Sequence, residues 1–141
     1  MRLYTRSRAL SEPVRTNVVG LLNSRLADCI DLQTQTKQVP CILQGQNCSL
    51  YRLFDDINQE VEQNVDNIAH RAEQLGGTAE PTACPLSLIS SLPEYPSSLI
   101  SGRDQVTALA DALASFRKNV RQAIGWTCRR MRRRGIDSWL L

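Results

Sequence analysis

Residues 51–77, YRLFDDINQEVEQNVDNIAHRAEQLGG, carry two helix faces at once, and the rest of the chain can be arranged around them. Leu50, Phe54, Ile57, Val61, Val65, Ile68, Ala72 and Leu75 recur at steps of three and four. At 3.6 residues per turn this is one narrow apolar stripe, the core side of a helix in a bundle. Tyr51, Asp55, Asp66 and His70 fall within an arc of about 100° on a different flank, and each can hold a metal ion. A second face predicts a second packing partner.

Spacing along the helix makes that partner specific. Tyr51 and Asp55 are one turn apart and can converge, as can Asp66 and His70, whereas Asp55 and Asp66 are separated by about 16 Å of helix axis. One chain cannot close such a site around a single ion. Two copies packed antiparallel about a two-fold axis near Glu60 and Val61 bring the first pair of one chain opposite the second pair of the other, giving two equivalent sites per dimer. The same spacing also describes a solvated polar face with a capping or salt-bridging histidine. Spacing alone does not choose between them.

Working outward, Gly76 and Gly77 end this helix and Gly45, Gln46 and Asn47 make the turn before it, with Ser49 as its candidate cap. Upstream, Ser11 is the N-cap of a first helix with Glu12 and Pro13 in its first turn. Its core face is Val14, Val18, Leu21, Leu22, Cys29 and Leu32, with Asp28, Asp31, Gln33 and Gln35 expected outward or toward a neighbouring subunit. Pro40 ends or kinks this helix near Val39. Downstream, residues 78–100 hold Pro81, Pro85, Pro93 and Pro96 and several serines, a long crossover with a short helix at Leu86 to Ser90. A connection of that length lets the second and third helices run parallel. Ser101 caps the third helix, whose stripe is Val106, Leu109, Ala110, Leu113, Phe116, Val120 and Ile124.

The 141 residues suffice for one domain, and 42% hydrophobic with only 5% aromatic residues suits a helical bundle rather than a β-sandwich. No apolar run reaches the eighteen or more residues of a membrane span, and the first fifteen residues lack a signal-peptide core, so a cytoplasmic protein with no membrane partner is expected. Five cysteines without a CxxC pair, Cys29, Cys41, Cys48, Cys84 and Cys128, read as free thiols. A single histidine, no HExxH and no glycine-rich phosphate loop leave no other recognisable catalytic arrangement. Charge is uneven: Arg2, Arg6, Arg8 and Arg15 face only Glu12 near the start, and five arginines face only Asp137 in residues 126–141. Basic ends on an acidic body suit phosphate binding, and Arg2, Arg6 and Arg8 are the candidate DNA contacts.

Three runs, LLNSRLADCIDLQTQTKQ, LFDDINQEVEQNVDNIAHRAEQLGGTAEPT and SSLPEYPSSLISGRDQVTALADALASFRKNVRQAI, resemble the Dps family of mini-ferritins, the DNA-binding proteins from starved cells. The resemblance covers roughly residues 11 to 124. It implies an all-α, ferritin-like four-helix bundle with a long crossover between the second and third helices, a hollow homo-dodecamer built from dimers, and iron storage inside. It also implies a ferroxidase site shared between two-fold mates, often with DNA protection and association with the nucleoid. Residue by residue, Asp55 and Asp66 match the family's two aspartates. His70 stands where the family has glutamate, Tyr51 at its second histidine and Pro40 at its first. The family's His-Trp-Asn run reads VPCILQG here, residues 39–45, so the carboxylates are kept and two histidines are lost. The Tyr51, Asp55, Asp66 and His70 set is expected to take iron or zinc. Alternatives are a non-catalytic DNA-binding relative and a degenerate fragment with a vestigial metal site.

The resulting division is a basic arm at 1–10, a ferritin-like domain at 11–124, and an arginine-rich tail at 125–141 in place of the family's fourth helix. The tail, GWTCRRMRRRGIDSWLL, shows no sustained apolar period. A basic DNA-binding tail is one reading. A frameshift near Gly125 is another, since Asp-Ala codons GAC GCC preceded by C become CGA CGC, Arg-Arg, one base out of frame.

Overall fold

The computed structural model describes residues 10–38, 48–79, 90–96 and 102–132. All regular structure among them is α-helical: α1 Glu12–Gln38, α2 Cys48–Gln74 and α3 Gly102–Arg132. The expected helical bundle is therefore found. α1 begins right after Ser11, whose carbonyl accepts from Val14 N and Arg15 N, both at 3.0 Å. Lys37 in its last turn complements the helix dipole.

The end of α2 is a Schellman cap. Gly76 N donates to Glu73 O at 2.8 Å and Gly77 N to Ala72 O at 3.0 Å, with Gly76 at φ 78°. That left-handed conformation is why a glycine stands there. A side chain on Gly77 would run into Val19, so the second glycine lets α1 and the end of α2 approach closely.

α1 is the hub, packed along α2 and, over a shorter span, against α3. Leu32, Phe54, Val61, Leu109 and Ala112 form the core cluster, one or two from each helix, with Leu50, Ile57, Leu92, Tyr95, Leu113 and Phe116 against it. The α2 stripe behaves as its period requires, with Phe54, Val61 and Ala72 buried. α3 is turned slightly from expectation. Gln105, Leu109 and Ala112 go inside, while Val106 is 37% and Ile124 56% exposed. The helix also runs through Gly125 to Arg132 without interruption. The change in composition after Ile124 does not end it. Residues 133–141, residues 1–9 of the expected 1–10 arm, residues 39–47 with Pro40, and residues 86–89 of the short helix expected at Leu86 to Ser90 lie outside the described residues, and Ser90 itself is not helical.

Asp28 and Gln35 were expected to face outward or toward a neighbouring subunit and are instead buried within the chain. Asp28 accepts from Arg25 Nη1 at 2.9 Å, from Ser91 N at 2.8 Å and from Ser91 Oγ at 3.0 Å, with Asn119 Nδ2 at 3.4 Å. Beside it, Asp31 accepts from Ser90 Oγ at 2.5 Å, and Gln35 Nε2 donates to Pro93 O at 3.0 Å. These bonds strap the crossover at 90–93 onto α1, and Asn119 ties in α3. A buried carboxylate is tolerable because so many donors converge on it.

Between α2 and α3 lies an open trough of about 330 Å³, walled by Leu32, Val61, Leu113 and Phe116 and edged by Asp56 and Glu60. No described helix fills it.

Candidate functional site

The period that drives Phe54, Val61 and Ala72 into α1 turns the opposite part of α2 outward. Asp55, Asp66 and His70 are exposed there and Tyr51 is half-buried. At 100° per residue, their arc is centred about 130° from the buried stripe. Asp56, Ile57, Glu60 and Asn64, which border the trough, lie on the other flank of the helix. α2 thus has three separate faces: one on α1, one on the trough, one bearing the metal-binding residue types.

Gln59 Nε2 donates to Asp55 Oδ2 at 3.2 Å and holds that carboxylate along the helix surface. No ion pair among the described residues involves Asp66 or His70, so the salt-bridging role that competed for His70 is not found there. Tyr51 with Asp55, and Asp66 with His70, each stand one turn apart on a continuous helix. Among the described residues, no three His, Cys, Asp or Glu lie close enough to hold one ion. The single chain holds these four donors as two pairs, with about 16 Å of helix axis between Asp55 and Asp66. Two carboxylates, an imidazole and a phenol make a donor set suited to iron or zinc.

Arg2, Arg6 and Arg8 lie outside the described residues. Cys29 and Cys128 are free thiols, as expected; Cys29 is wholly buried. Sequence reading missed the Asp28 hub, although its signal was present: Asp28 is one turn before Leu32 on the core side of α1 and three residues after Arg25. It also missed a cationic face on α3, whose Arg117, Lys118, Arg121 and Arg129 are spread along the helix rather than clustered in sequence.

No family model matches the chain. It is 31% identical over 125 residues to a DNA protection during starvation protein of Agrobacterium fabrum, covering 88% of this chain and 77% of that relative. It is 28% identical over 116 residues to an uncharacterized low temperature-induced protein of Nostoc sp., covering 82% of this chain and 65% of the relative. Among solved structures it superposes on DpsC from Streptomyces coelicolor with a TM-score of 0.75 at 21% identity, over 91% of this chain and 75% of that one. That likeness is one of fold, a ferritin-like helical bundle, and it agrees with the helix order and the α1-centred packing. The identity and coverage shared with the Agrobacterium protein place the chain, by descent, in the Dps family of DNA protection during starvation proteins.

Proposed function

We propose that the protein protects DNA in the Dps manner, by removing Fe(II) and peroxide at sites completed between two copies of the chain and storing the ferric product inside a larger homo-oligomer. Fe(II) is the substrate. Asp55 of one copy, with Tyr51 beside it, and Asp66 and His70 of its mate supply the ligands. Two Fe(II) ions each give one electron to a peroxide, whose O–O bond breaks to yield two hydroxides, and the ferric ions pass to the interior. The carboxylates favour the hard ferric product and the imidazole holds the softer ferrous ion. The basic arm with Arg2, Arg6 and Arg8 holds DNA phosphates near this chemistry, in the cytoplasm.

The observation that carries this reading is the isolation of the donors: α2 presents two half-sites on a face that neither α1 nor α3 touches. An antiparallel mate is the arrangement that makes both half-sites whole. Anaerobic Fe(II) loading followed by peroxide, read by ultraviolet absorbance, should show protein-dependent oxidation. Asp66→Asn should slow it roughly ten- to a hundredfold, as loss of a metal-site partner does. Oxidation no faster than in buffer alone removes the iron chemistry from the proposal.

A further inference from the structure

From Ala112 to Arg132, α3 carries six Lys and Arg residues and no Asp or Glu. The rest of the chain holds the other eleven cations against all fourteen carboxylates, so a positive rod lies on a net negative body. Four of the six, Arg117, Lys118, Arg121 and Arg129, surround one open depression of about 440 Å³ floored by Ala114 and Gly125. All four are exposed, and none pairs with a carboxylate among the described residues. The Arg129 guanidinium folds back beside Gly125 one turn earlier, with Nη1 3.7 Å from where a Cβ would stand. At 100° per residue the cationic arc is centred about half a turn from the buried Gln105, Leu109 and Ala112. It points away from α1.

Surface cations are ordinarily interspersed with carboxylates, which limits mutual repulsion. Here the repulsion is uncompensated along about 18 Å of helix axis, from Arg117 to Arg129. A lone phosphate ion would relieve only part of it, and the depression is shallow. A phosphodiester backbone, with a charge per about 1.7 Å of duplex axis, matches the whole row. We propose that this face of α3 is a second DNA-docking surface, gripping the phosphate backbone without reading bases. It rests on the DNA partner of the proposed function and adds to it a contact made by the folded bundle rather than by the arm.

The test is fluorescence anisotropy with duplex DNA of mixed sequence over a salt series, using the full chain. Replacing Arg117, Arg121 and Arg129 together by glutamine should weaken binding at least about tenfold and flatten the slope of log K against log salt by about 2.7, some 0.9 per lost phosphate contact. Replacing the same three by lysine should restore most of both. On the unaltered protein, duplex DNA should shield these arginines from phenylglyoxal, read by mass spectrometry, whereas orthophosphate should not. Equal modification with and without DNA, or an unchanged salt slope in the glutamine variant, overturns the inference. If binding vanishes instead only when Arg2, Arg6 and Arg8 are changed to glutamine, the α3 surface is wrong and the proposed function stands. If the unaltered protein binds no duplex at low salt, DNA contact is lost from both.

Discussion

Asp28 shows how much one residue can hold. It is completely buried, yet it is contacted by Arg25, by both donors of Ser91 and by Asn119. Asp28→Ala leaves the Arg25 guanidinium and the Ser91 amide without their acceptor, and should lower unfolding stability by about 3 kcal/mol. Urea denaturation followed by circular dichroism checks this, and a loss well below 1 kcal/mol would mean water replaces the carboxylate. Its neighbour Cys29 has a thiol pushed up to about 11, chiefly by burial, with the Asp28 carboxylate adding to it and Arg25 opposing. Because the folded thiol holds its proton more tightly than the unfolded one, folding carries this contribution fully below pH 9.0. It is lost as pH climbs toward 11 and the unfolded thiol alone ionises. Relative to Cys29→Ala, the unaltered protein should therefore lose stability between those two pH values, and at neutral pH its Cys29 should resist thiol reagents while folded.

At the scale of elements, every helix end but the last was legible in the sequence to within a residue or two, because caps and breakers are local, whereas α3 runs past Ile124 to Arg132 with no local signal for it. Ser11, the Gly76–Gly77 pair and the 3.6-residue stripe each act within one turn. Gly20 breaks that economy. It lies exposed within α1 with nothing within 4 Å of where a Cβ would stand, so Gly20→Ala should raise stability by about 0.5–1 kcal/mol through backbone entropy. Gly77→Ala should do the opposite, by about 1–3 kcal/mol, since its methyl group meets Val19 across the helix pair. Thermal melts of the two variants should move in opposite directions. The rotation of α3 was not legible. Its apolar residues span more than one face, and only packing on α1 decides that Leu109 and Ala112 go in while Val106 and Ile124 stay out.

At the scale of the whole molecule, the faces left open matter most. No helix among the described residues is long and apolar enough to cross a membrane. In the proposed dimer, an antiparallel mate on the donor face would leave the trough on the other flank of α2 untouched. The proposal of shared sites then makes a quantitative prediction. Asp55→Asn and Asp66→Asn proteins should each oxidise iron roughly ten- to a hundredfold more slowly. Unfolded and refolded together, they should regain about a quarter of the unaltered activity, because under random pairing half the dimers are mixed and each holds one intact site. No recovery on mixing would show that both aspartates serve one chain. The amino-acid sequence by itself determined the helices, all their ends but the last, and the division of the donor residues into two pairs too far apart to meet, since all of these follow from local signals and distances along one helix. Only the tertiary structure decided that Asp28 and Gln35 turn inward and that a row of cations on α3 points away from the core. Those outcomes depend on which helix lies against which, and a period along one helix names a face without naming its neighbour.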